Sequence, residues 1–137
     1  MKLPIDATIL LDVLQAREPH MKNSSLIWKL YETGEVDGYV SALTLANLVY
    51  VMRKELDPKN IHNVFKKPQL VFHIAALSDT DLQLASAMEW KDFEDAIQCA
   101  TAERTNADFI ITRNVKDFLQ SRKALAFTPA EFLERYY

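Results

Sequence analysis

Five short apolar runs, each followed by a segment with helical spacing, constrain this chain more than any other feature of it. "KLPID" leads into "TILLDVLQA", "VDGYVS" into "ALTLANLVYVMRKEL", and "LVFHIAAL" into "SDTDLQLASAMEW". "ADFIIT" leads into "VKDFLQS", and "ALAF" into "TPAEFLERYY". Strands that alternate with helices predict an α/β fold, because parallel strands need a crossover between them and a helix usually supplies it. The run over residues 70–77 lacks polar alternation, which predicts a strand buried on both faces. The expected architecture is a three-layer α/β/α sandwich with a mostly parallel central sheet of four to five strands, one domain over residues 1–137.

Local signals set the expected element ends. Ser24 or Ser25 is an N-cap candidate for the "SSLIWKLYETG" helix, whose apolar side is Leu26, Ile27, Leu30 and Tyr31 and whose stop is Gly34. Leu45, Leu48, Val49, Met52 and Leu56 form one stripe of the next helix. Pro58 opens "PKNIHNVFKK", and Ser78 or Asp79 caps the helix after residue 77. The "DFEDAIQCATAERTN" helix turns Phe93, Ala96, Ile97 and Ala100 inward, and Asn106 suits the left-handed position beyond its end. Thr128, Pro129 and Glu131 spell an N-cap, first helical position and capping box. Pro4 is unwelcome in a central strand, because it removes a ladder donor.

Composition closes several routes. Two glycines, Gly34 and Gly38, are too few for a glycine-rich phosphate cradle. One cysteine, Cys99, excludes an internal disulfide and a cysteine-rich zinc site, and predicts a reducing, cytoplasmic setting. The opening residues do not read as a secretory leader. The longest apolar stretches, near residues 45–52 and 70–77, are too short for a bilayer, so no membrane association is expected. A net charge of −3 is not the footprint of bulk-charge nucleic-acid binding. An acidic pocket that binds cations reverses its sign locally, so nucleic-acid chemistry stays open. Lys91, Arg113, Lys116, Arg122 and Lys123 lie near the polar clusters, and a solvated surface is their usual meaning.

Those clusters are the chemical signal. Asp6 follows the first strand, Asn47 is the strongly polar residue of "LANLVYVM", Asp92 and Asp95 share a helix start, and Asn114 with Asp117 follows "FIIT". Each has a plain structural reading: N-caps for Asp6 and Asp92, a structural hydrogen bond for Asn47, a turn for Asn114 and Asp117. Three carboxylates within four residues repel one another, however, and a helix dipole rewards them only modestly. Asp6, Ser41, Thr112 and Asn114 all fall at predicted strand C-termini, where open α/β sheets form their sites. Cys99 and His73 read as core residues, and Ser41 lacks a nucleophile-elbow setting. The face with Tyr50 and Val51 reads first as core, the "RYY" end as an aromatic tail docked on the body.

"PIDATILLDVL", "VSALTLANLVYVMRKEL", "DFEDAIQCATAERTNADFIITRNVKDF" and "FTPAEFLERY" together resemble the PIN domain, the small α/β nuclease fold of VapC-type toxins in bacterial toxin–antitoxin pairs. The resemblance spans nearly the whole chain and is most specific in the third block. It implies a ribonuclease dependent on Mg²⁺ or Mn²⁺, plausible as a toxin, with RNA as substrate, an antitoxin as partner and a homodimer as its state. Carried over by position, it makes Asp6 the first-strand ligand and Asp95 the helix ligand, with Asp92 beside it. Asn114 and Asp117 become candidates for the last polar position, Thr8 and Thr112 supporting hydroxyls. Asn47 stands where the family usually has glutamate, and an amide brings no charge to a hard cation. That departure implies the alternative of a degenerate PIN domain that binds RNA or a protein partner without cleavage.

Overall fold

In the computed structural model, which describes residues 2–55, 57–121 and 125–137 (side chains of 67, 69 and 70 excepted), every described strand runs parallel to its neighbours. The expectations for Leu56, Arg122, Lys123 and Ala124 fall outside those residues. Strand β1 (Lys2–Pro4) pairs with β2 (Asp37–Ser41), and β2 with β3 (His73–Ala75). Strand β4 (Phe109–Ile111) pairs with β5 (Leu125–Phe127). A parallel bridge between Ile5 and Ile111 joins the two groups, so the spatial order is β3-β2-β1-β4-β5.

Pro4 explains why that join is thin. Successive strand residues alternate their polar groups between the two edges. On the edge facing β4, Asp6 donates its N–H to the Ile111 carbonyl at 3.0 Å and the Lys2 carbonyl accepts from Asp108 at 3.0 Å. Pro4 lies between them with no N–H to give. The expected conflict is therefore met inside the central strand, as a gap in one ladder. Gly38 answers a different need: a Cβ there would lie 2.2 Å from the Tyr31 ring and 2.7 Å from Phe72.

One face of the sheet is covered by α1 (Ala7–Leu14), α2 (Met21–Glu32), α3 (Ala42–Met52) and α7 (Pro129–Tyr136), around a core that includes Leu3, Ile9, Val40, Leu48, Ile111 and Phe132. The other carries α5 (Asp79–Met88) and α6 (Phe93–Arg104), packed through Ala85, Ala96, Ile97 and Ala100, with Ile110 and Phe118 beneath. Helix α4 (Pro58–Val71) links α3 to β3. This is the expected α/β/α sandwich. Among the described residues no helix is long and apolar enough to cross a membrane.

Several expectations need correcting. The apolar run at 70–77 is not one strand: α4 continues through Pro68 to Val71, and β3 keeps only three residues. Since β3 is the edge, His73 and Ile74 are exposed rather than buried. Helix α2 starts at Met21, not after Ser24 or Ser25, because the Ser24 hydroxyl is used in a buried bond to Asp12 Oδ2 at 2.9 Å. Phe93 is exposed, and so are Tyr50 at 64% and Val51 at 50%, where core burial was expected. Ser78, one of the two expected caps, caps α5 and forms a capping box with Asp81, and Thr128 and Glu131 form the expected box of α7. Asn106 takes the left-handed conformation at φ 56°.

Candidate functional site

Strand order reverses between β1 and β4, and crevices of α/β sheets open at such switch points beyond the strand C-termini. Asp6 leaves β1 into this crevice. It holds the N-cap position of α1 in extended conformation, yet its side chain makes no cap hydrogen bond. Its carboxylate accepts instead from the Thr112 hydroxyl at 2.8 Å and the Thr8 hydroxyl at 3.2 Å, both on Oδ2. Gln98 Nε2 of α6 approaches Oδ1 at 3.4 Å. Asp6 therefore takes the expected N-cap position without the expected capping bond.

Thr112, fully buried at the end of β4, sets the direction of these bonds. Its oxygen accepts from the Asn114 backbone N–H at 3.0 Å, so its proton is free to go to Asp6. Asn114 and Asp117 are exposed on the short 3-10 turn Val115–Phe118, and the Asn114 side chain caps nothing. The turn reading holds for the Asn114 backbone, whose carbonyl accepts from Asp117 at 3.0 Å.

Helix α6 brings in the remaining acids. Asp92 is its N-cap and accepts from the Asp95 backbone at 3.1 Å, as its plain reading predicted. Asp95, half-buried, has its carboxyl pushed up to about 7, first by burial, then by the charges of Asp92, Asp117, Asp6 and Glu94. Four carboxylates from three segments thus bear on one. Asn47 of α3 points its amide at Glu94 Oε2, 3.1 Å away. Asp92, Asp95 and Asp117 line an open groove of about 560 Å³ together with Trp90, Lys91 and Lys116. Among the described residues no three His, Cys, Asp or Glu side chains stand close enough, as placed, to grip one ion.

Sequence reasoning missed the parts played by five residues. Gln98 and Glu94 lie four apart on one stripe of α6, a spacing visible in the sequence. Trp90 precedes the acidic run it shares a groove with. Asp12 is a fully buried carboxylate inside "LLDVL", as conspicuous as Asn47 in its own helix. Arg113 is not a solvated surface cation: its Nε lies 3.0 Å from Asp12 Oδ2. Ser41 caps α3 through Thr44, and Cys99 is a buried packing residue whose thiol burial pushes up. Tyr136 docks on Phe109, with ring centroids 5.2 Å apart.

An open parallel sheet with a carboxylate-lined switch-point crevice defines a class of α/β domains suited to cation and phosphate chemistry. Within that class the chain belongs to the PIN domain family, which residues 2–116 match. Solved structures agree in fold. DNA-bound VapBC from Salmonella typhimurium is similar with a TM-score of 0.71 at 12% identity, covering 94% of this chain and 98% of that one. A toxin–antitoxin complex from Klebsiella pneumoniae is similar with a TM-score of 0.68 at 23% identity, covering 93% and 97%. A sarcin–ricin loop cleaving toxin from Mycobacterium tuberculosis is similar with a TM-score of 0.63 at 9% identity, covering 79% and 86%. No curated protein matches the chain significantly.

Proposed function

We propose that this chain is a metal-dependent endoribonuclease, working as the toxin of a toxin–antitoxin pair, with Mg²⁺ or Mn²⁺ held by Asp6 and Asp95. Asp92, Asp117 and Asn114 complete the donor set, directly or through water. The observation that carries this reading is Asp6: a carboxylate at a helix start that leaves the helix uncapped and is held toward the crevice by Thr112, Thr8 and Gln98. The residues fit such an ion in chemistry. The donors are all oxygen, which suits a hard cation. Burial first, and then the neighbouring carboxylates, keep Asp95 protonated up to about 7, and a cation offsets both by favouring the charged form.

A bound ion of this kind lowers the pKa of water and offsets phosphate charge. The chain's own residues do the rest. Thr112 and Thr8 fix the Asp6 rotamer by donating to Oδ2, so ligation needs little reordering. Lys91 and Lys116 flank the groove and pair with phosphates on either side of the scissile bond, while Trp90 offers a face for a base. The decisive assay is cleavage of mixed RNA. Mn²⁺ or Mg²⁺ supports it, EDTA stops it, and Asp6→Ala or Asp95→Ala lowers the rate by about 10²-fold or more. Full activity in Asp95→Ala protein would defeat the assignment.

Asn47 favours a second reading, a degenerate domain that binds RNA or a protein without cutting, since the amide adds no charge. Calorimetry then shows Mn²⁺ binding with no cleavage. The same overall reading includes the cytoplasm as working compartment, a homodimer and an antitoxin. Exposed Tyr50 and Val51 on α3 support a protein contact.

A further inference from the structure

We propose that Glu94, on α6, supplies the metal site with the carboxylate charge that α3 lacks, and that Asn47 is the residue that positions it. This rests on the metal-site reading above. Asn47 and Glu94 are 47 positions apart in sequence, and the bond from Asn47 Nδ2 to Glu94 Oε2 is 3.1 Å long. An amide donor at position 47 attracts a carboxylate; a glutamate at the same place would repel it. The neutral residue and the extra acid therefore belong together.

The helix geometry says where this carboxylate lies. Glu94 and Gln98 are one turn apart on α6, so they share a stripe. Gln98 reaches Asp6 at the end of β1, and Glu94 reaches Asn47 on α3. The two contacts turn this stripe toward both walls of the crevice. Glu94 is exposed, and its bond to Asn47 holds the carboxylate on the side of α6 that faces α3. Its charge also bears on Asp95, the residue next to it. Asp92 already caps α6 and Asp95 follows three residues later, so the helix dipole gains little from a third acid. A tether to another helix is not needed for a dipole role. It is needed to hold a carboxylate at a site.

Isothermal titration with MnCl₂ tests this in five proteins: unmodified, Glu94→Gln, Glu94→Gln with Asn47→Glu, Asp95→Asn, and Asp79→Asn as a remote acidic control. Glu94→Gln weakens Mn²⁺ binding at least about tenfold, the double variant recovers most of that loss, and Asp79→Asn changes nothing. Glu94 is exposed, so Glu94→Gln keeps the fold, checked by thermal melting. If the unmodified protein binds Mn²⁺, Asp95→Asn loses it and Glu94→Gln matches the unmodified protein, this inference alone is overturned. Failure of Asn47→Glu to restore binding to Glu94→Gln overturns it too. If the unmodified protein and Asp95→Asn both fail to bind, the metal-site reading falls and takes the inference with it.

Discussion

Asp6 sits where a helix would use its side chain and withholds it, so other groups must satisfy the carboxylate. Thr112 does most of this from a fully buried position, giving its proton to Asp6 and its lone pair to Asn114. Thr112→Val keeps the volume and removes both bonds, one of them to a charged group. It costs about 2–3 kcal/mol in urea unfolding. A loss under about 0.5 kcal/mol would mean that water replaces the hydroxyl. Asp95 makes the stability of the metal-free protein depend on pH up to neutrality. Its folded value of about 7 lies above the ordinary 3.8, so between those values the folded state holds a proton that the unfolded state has released. Stability from this group therefore falls as pH rises from about 4 to about 7. Asp95→Asn melts higher than the unmodified protein at pH 8 without metal and level with it near pH 4, by differential scanning fluorimetry. Excess Mn²⁺ raises the unmodified protein and not the variant. An unmodified protein that gains stability relative to Asp95→Asn across that range, without metal, would refute the site's electrostatics. The sequence reading names Asp6, Asp95, Thr8 and Thr112 but not the bonds among them, nor Gln98. Whether an aspartate caps its helix depends on competing donors, and Gln98 and Thr112 lie 92 and 106 positions away.

Between elements, the firmest polar tie is the one from α6 to α5. Arg104 grips Asp81 through Nε at 2.7 Å and Nη2 at 3.1 Å, and also donates to the Ala76 carbonyl at 2.7 Å. Asp81 closes the α5 capping box as well. Burial alone would raise its carboxyl, but the bonds from Arg104 and Ser78 outweigh burial and hold it below the usual range. A lowered carboxylate stabilises above its unfolded value and loses that contribution as pH falls. Asp81→Ala costs about 2–3 kcal/mol near pH 7, the pair being open to water on the arginine side, and the difference narrows in acid below about pH 4. Denaturant midpoints at both pH values check it; an equal loss at each would remove the ion pair as the cause. Most elements could be read from the chain because their signals were local. Thr128, Pro129 and Glu131 announce α7 without help from the rest of the molecule. The misreadings were tertiary. An apolar run at 70–77 looks the same as a buried helix end or a strand, and only packing decides. Ser24 looks like a cap until Asp12 claims its hydroxyl.

At the scale of the whole molecule, charge is the constraint. The chain carries −3 overall and gathers carboxylates at the end of its sheet, so a phosphate backbone meets repulsion there unless cations intervene. Attraction has to come from the cations beside them. Lys91 and Lys116 line the same groove as the acids, next to Trp90, one from the segment before α6 and one from the turn after β4. A single strand bound along this groove meets both cations as well as the acids, so binding and cleavage draw on different side chains. Fluorescence anisotropy with a short labelled RNA, using Asp6→Asn protein to prevent turnover, measures the first alone. Replacing both Lys91 and Lys116 with alanine weakens binding similarly across RNA sequences and lowers the slope of log K against log salt by about 1.4, since each phosphate contact on a single strand contributes about 0.7. Replacing Trp90 with alanine weakens binding without changing that slope, because stacking releases no counterions. An unchanged slope in the double lysine variant would place the RNA elsewhere on the surface and leave the groove without a substrate.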